Sequence, residues 1–167
     1  GGVPAARASR DYSQGILDRR QVLDAAAKVT LESQPDADTA QIDDFTICEY
    51  EPDGTGISWS DSYTKVLTEK GRRERQSMSF GFTLPYGRTM VRLLELIKPD
   101  GTIVPVDIEK QSKVMIDRSQ MGSNIYDPNS KVLQVGVPGL AIGDVVHVVV
   151  RQETMKRYMP DTWDDYQ

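Results

Sequence analysis

Ser77-Met78-Ser79-Phe80-Gly81-Phe82-Thr83-Leu84 alternates small or polar residues with apolar ones without a break. Successive side chains of a strand point to opposite faces, so this stretch predicts an extended segment with one face turned into a core. Working back from it, Ile57, Trp59, Tyr63 and Leu67 share one parity across Ser58, Ser60, Ser62 and Thr64. Ile42–Tyr50 precedes them, joined through Pro52-Asp53-Gly54, which predicts a hairpin. Working forward, Met90–Lys98 is apolar on both parities and predicts an interior strand that ends at the turn Pro99-Asp100-Gly101. Thr102–Ile108 and Ser112–Arg118 read as further strands, with Pro105 marking an edge or bulge because it cannot donate to a ladder. After a polar loop over 119–130, Val132–Val137 resumes extended structure. Val145–Val150, β-branched on both faces, suits a central strand packed from two sides.

One helix stands apart from this pattern. Asp18 with Gln21 resembles a capping box, Leu17 and Val22 can form a hydrophobic staple, and Leu23, Ala26, Ala27, Thr30 and Leu31 recur at helical spacing. A helix over about 19–32 follows, and Pro35 cannot continue it. The expected organisation is a flexible arm over 1–15, a helical region over 16–34, a sandwich domain over 35–158 and a linker over 159–167 toward a further domain. One helix followed by many short strands, without alternating helices, predicts a mainly β fold, an antiparallel β-sandwich with one N-terminal helix.

The chain has 167 residues and a net charge of −5, enough for one compact domain and of a sign that repels nucleic acid and anionic lipid. No apolar run approaches the roughly 20 residues needed to cross a bilayer as a helix. Cys48 is the single cysteine, so no intrachain disulfide can form.

Several turn motifs fall in a distinctive order: Pro35-Asp36-Ala37-Asp38, Asp53-Gly54-Thr55, Lys65-Val66-Leu67-Thr68-Glu69-Lys70-Gly71, Lys98-Pro99-Asp100-Gly101, Ile125-Tyr126-Asp127 and Val137-Pro138-Gly139-Leu140-Ala141-Ile142-Gly143-Asp144. Each alone is ordinary turn chemistry. In this order, over residues 30–155, they resemble the bacterial domain of unknown function found just upstream of transglutaminase-core domains in exported or envelope-anchored proteins. The resemblance implies a β-sandwich accessory domain, a periplasmic or extracellular location, and a transglutaminase-like partner domain in cis. It carries over no catalytic residue.

Transglutaminase-like chemistry needs a cysteine nucleophile, a histidine base and an orienting carboxylate. Cys48 and His147 are the only thiol and imidazole. Both lie in strand contexts, and both are expected to be packed residues rather than a dyad. One histidine and one cysteine cannot supply the usual transition-metal ligand set, and neither an Asp-x-Asp-x-Asp calcium pattern nor a glycine-rich phosphate cradle is present. No metal or other cofactor is expected. Lys70, Arg72, Arg73 and Arg75, partly neutralised by Glu69 and Glu74, read as a solvated hairpin. Trp59 and Tyr63 share a face that suits either core packing or a sugar platform. Tyr86 and Arg88, in a Pro-Tyr-Gly-Arg loop, are the candidate surface contacts. The function expected is therefore a non-catalytic interaction domain that positions or stabilises a downstream transglutaminase core. The alternative is a carbohydrate-binding β-sandwich module, with a glycan or envelope protein as partner.

Overall fold

The computed structural model describes residues 10–118 and 129–155. The loop expected over 119–130 and the linker over 159–167 fall wholly or largely outside those residues. In chain order the elements are α1 (Arg19–Ala27), β1 (Thr39–Tyr50), β2 (Gly56–Val66), α2 (Glu69–Arg75), β3 (Ser77–Thr83), β4 (Gly87–Ile97), β5 (Ile103–Pro105), α3 (Ile108–Gln111), β6 (Ser112–Ile116), β7 (Ser130–Gly136) and β8 (Val145–Thr154). They form two antiparallel sheets, of order β1-β2-β8-β4-β5 and β3-β7-β6. The expected mainly β sandwich with an N-terminal helix is the fold observed.

Alternation fixes which face of the large sheet does what. Val66, Leu94, Leu96, Val146 and Val150 point inward and pack with Met78, Leu133 and Val135 of the small sheet. The opposite, outer face meets α1, whose Val22 and Ala26 pack on Tyr63, Ile97 and Val145. β8 is the central strand and buries side chains on both faces, as its valines require. β4 reads as apolar on both parities because it carries a bulge between Val91 and Leu93. Val91 opposes Val150 before the bulge and Leu94 opposes Val148 after it, so two residues of opposite parity both face the core. The same shift brings Glu95 opposite His147.

Three expectations need correction. The N-terminal helix stops at Ala27 rather than near residue 32. Beyond it Thr30 and Ser33 bond to each other's backbone and hydroxyl groups, offering the chain a turn in place of another helical turn. The basic stretch 70–75 is helix α2, not a hairpin, with Thr68 as N-cap and Arg72 paired to Glu69. Gly71 lies inside that helix, where its bare Cα sits against the Asp38 carbonyl. Cys48, expected in the core, is exposed on β1, the outermost strand of the large sheet. β5, which contains Pro105, is the opposite edge.

Candidate functional site

The outer face of the large sheet buries a row of polar groups. Tyr63 on β2, His147 on β8 and Glu95 on β4 are direct cross-strand neighbours. Asp61 lies one same-face position along from Tyr63, opposite Val149. Asp61 and His147 are fully buried and Glu95 nearly so, in a layer where an ionised group is tolerated only if every polar atom is engaged.

Both nitrogens of His147 and both oxygens of Asp61 meet that condition. His147 Nε2 lies 2.6 Å from Asp61 Oδ1, and Nδ1 lies 2.8 Å from Glu95 Oε1. Arg19 Nη2 of α1 reaches the same oxygen, Glu95 Oε1, at 2.5 Å. Asp61 Oδ2 accepts the backbone N–H groups of Ile16 and Leu17, at 2.6 and 2.8 Å. Gly15 makes that approach possible: at φ +109°, a Cβ on it would stand 2.9 Å from Asp61 Oδ2. Tyr12 then packs edge-on against Trp59, over which Arg151 also lies. Residues 10–18, most of them within the expected flexible arm, thus run across this face as a strap that leads into α1.

Burial works to raise the Asp61 pKa, but the hydrogen bonds from His147, Leu17 and Ile16 outweigh it and hold the carboxyl below its ordinary value. Burial, reinforced by the Asp61 charge, pushes the Tyr63 hydroxyl up to about 12. Farther along the same face, Lys65 Nζ donates to the carbonyls of Ala26 and Val29, fastening the end of α1. A half-open hollow of about 380 Å³ beside it is lined mainly by Leu23, Ala26, Ile97, Pro99 and Val145.

Cys48 takes no part in this array. It opposes Ser58 and His147 opposes Tyr63, so the two residues lie five positions apart along β2, roughly 16 Å at strand spacing, and on opposite faces of the sheet. Trp59 and Tyr63 are both buried beneath the strap and α1. Tyr86 and Arg88 are exposed at the β3–β4 turn, which holds a cis Leu84–Pro85 peptide bond, and the Tyr86 carbonyl accepts from Met155 N–H. They lie at the end of β8 away from His147, which opposes Glu95 whereas Arg88 opposes Glu153.

The residues the sequence pattern did not flag are Asp61, Glu95, Arg19 and Gly15. A signal was present for two of them. Asp61 shares the parity of Trp59 and Tyr63, and Glu95 stands alone among Leu93, Leu94, Leu96 and Ile97, just as His147 stands alone among valines. Ionisable groups set singly in two apolar strands and between two aromatic residues on the face of a third imply mutual pairing, because none is stable in an apolar layer by itself. The contribution of Gly15 and Arg19 depends on where the strap lies, which no local pattern encodes.

Fold and site together define a two-sheet β-sandwich module whose outer face is closed by its own N-terminal segment. Residues 52–167 match the family described as "Domain of Unknown Function with solved-structure structure (DUF3857)", and the chain belongs to that family. The match starts within the β1–β2 turn, so the strap, α1 and β1 precede it. No curated protein matches the chain. Among solved structures it is similar to the "crystal structure of a putative protease from Parabacteroides distasonis ATCC 8503", with a TM-score of 0.64 and 15% identity. The likeness covers 74% of this chain and 24% of that one, and it is a likeness of fold.

Proposed function

We propose that this chain is a non-enzymatic accessory domain of a bacterial envelope protein, positioning or stabilising a transglutaminase-like core in the same polypeptide. The observation that carries the non-enzymatic part is the position of His147. The chain's single imidazole is fully buried with both ring nitrogens committed to carboxylates, and its single thiol lies on the other face of the sheet. A general base must reach the proton it abstracts, and this one faces only its own fold.

The accessory part is supported by family membership, by the ordered turn motifs, and by the occurrence of a similar fold as 24% of a longer chain bearing a protease name. Burial of Trp59 and Tyr63 removes the platform on which sugar binding would have rested, so no specific observation favours that alternative. The test is the coding sequence that follows the Gln167 codon in the natural gene. A transglutaminase core with its own Cys, His and carboxylate is the expected result, and a stop codon or an unrelated domain there overturns the proposal.

A further inference from the structure

We propose that residues 10–27 form a latch whose docking on the large sheet depends on one proton held in the Asp61–His147–Glu95 array. Two nitrogen–oxygen contacts, at 2.6 and 2.8 Å, flank one imidazole, and each needs a proton between its atoms. The other contacts bring donors to the carboxylates: Ile16 and Leu17 N–H to Asp61, and the Arg19 guanidinium to Glu95. A neutral imidazole with two ionised carboxylates would leave a nitrogen lone pair facing a carboxylate oxygen in a place water does not reach. The closed array therefore holds one proton more than its separated groups carry in water above an imidazole's reference value of about 6.5.

The groups that face His147 are few. β2 presents Asp61 and Tyr63, β4 presents Glu95, and α1 presents Arg19 with Asp18 nearby, while residues 15–17 contribute backbone. Arg92 and Arg151 act on Asp11 of the strap. With both cations charged, Asp61 and Glu95 are balanced, while Asp18 is occupied as the N-cap acceptor of Gln21 N–H. Without the imidazole proton, one negative charge is left in excess beneath the strap.

The strap and α1 can leave without dismantling the sandwich, because their apolar contacts form a cluster separate from the core between the sheets. Raising the pH then favours undocking, since the open state binds fewer protons. One proton links the two states, so the closed-to-open ratio falls as the pH rises, by as much as about tenfold per unit.

The test is NMR of the ¹⁵N-labelled chain between about pH 6 and about pH 9. Ring nitrogen shifts of His147 report its protonation, and amide exchange corrected for base catalysis reports opening at Ile16 and Leu17 against Val146 and Val150. The expected result is a doubly protonated ring at the acid end, then a loss of protection at Ile16 and Leu17 of up to about tenfold per unit while Val146 and Val150 hold. Asp61→Asn should flatten that slope. Its amide oxygen can accept the two backbone N–H groups while its NH₂ donates to the imidazole lone pair, so the array is satisfied without the extra proton. If that variant does not fold, the pH series on the wild-type chain decides alone, through the His147 ring shifts and the contrast between Ile16 and Val146. Constant protection at Ile16 and Leu17, joint loss with Val146, or a variant that keeps the wild-type slope overturns the latch.

Discussion

The Tyr63 ring lies flat on the His147 imidazole, with centroids 3.9 Å apart and planes 7° from parallel. The two residues are cross-strand partners on β2 and β8, so the sheet register itself supplies the stack. The stack fixes the plane of the imidazole, and within that plane the two nitrogens reach Asp61 on one side and Glu95 on the other. Tyr63 also forms the floor on which Val22 and Ala26 of α1 rest. Tyr63→Ala removes both supports, and a loss of about 3–5 kcal/mol is expected from the cavity alone. Urea unfolding of the variant checks this, and a loss below about 1 kcal/mol would show that the ring is dispensable.

Asp61 answers to acid in a defined direction. Its folded carboxyl is held below the ordinary value of 3.8, so the stabilisation it provides is fully present above the unfolded value and is lost as the pH falls through the lower folded value. The expected outcome is a carboxyl ¹³C shift for Asp61 that titrates below 3.8, with an acid-side decline of the unfolding midpoint that sets in as the pH falls past that value. Asp61→Ala at neutral pH strands two backbone N–H groups and one imidazole nitrogen in the interior. A cost of about 3–5 kcal/mol is expected in the same unfolding assay.

Among the described glycines, Gly71 makes the tightest backbone approach. A Cβ there would overlap the Asp38 carbonyl oxygen, which already accepts from Leu67 and Thr68 N–H, while Asp38 Oδ1 accepts from the Thr68 hydroxyl. Alanine favours helices, so propensity alone predicts that Gly71→Ala stabilises α2 by about 1 kcal/mol. The overlap reverses that sign, because backbone cannot swing aside as a side chain can. A net loss of about 1–3 kcal/mol is expected by thermal or chemical unfolding, and a stabilised variant would mean that α2 shifts freely.

The strands were legible in the sequence because alternation is a local property. Ser77–Leu84 and Ile57–Leu67 each expose their period within a few residues, and the valines of 145–150 announce burial on both faces. The helix end at Ala27, the α2 helix and the exposure of Cys48 were not legible, for separate reasons. The first turns on hydroxyl groups competing with backbone acceptors, the second on a glycine of poor helix propensity whose close neighbour only the fold reveals, and the third on which strand ends up at the edge of the sheet. The array was half legible. Glu95 and His147 stand out as isolated ionisable groups in apolar strands and Asp61 shares the face of Trp59 and Tyr63, but their meeting depends on the pairing of β2, β8 and β4 and on the bulge in β4. The cross-strand register is a tertiary fact, and no window of sequence contains it.

Cys48 provides the most direct check that the thiol and the imidazole act apart. It is exposed on the outermost strand, and its side chain projects from the face opposite His147. A thiol reagent should therefore modify one equivalent of cysteine in the native protein without prior unfolding. Cys48→Ser should change stability by no more than about 0.5 kcal/mol, as for a surface substitution away from any cap or network. His147→Gln should weaken the docking of the strap, yet leave the modification rate of Cys48 unchanged within about a factor of two, since roughly 16 Å and a sheet separate the two groups. A tenfold fall in that rate in a folded His147→Gln variant would place the imidazole in electrostatic contact with the thiol, and the non-enzymatic assignment would fall with it.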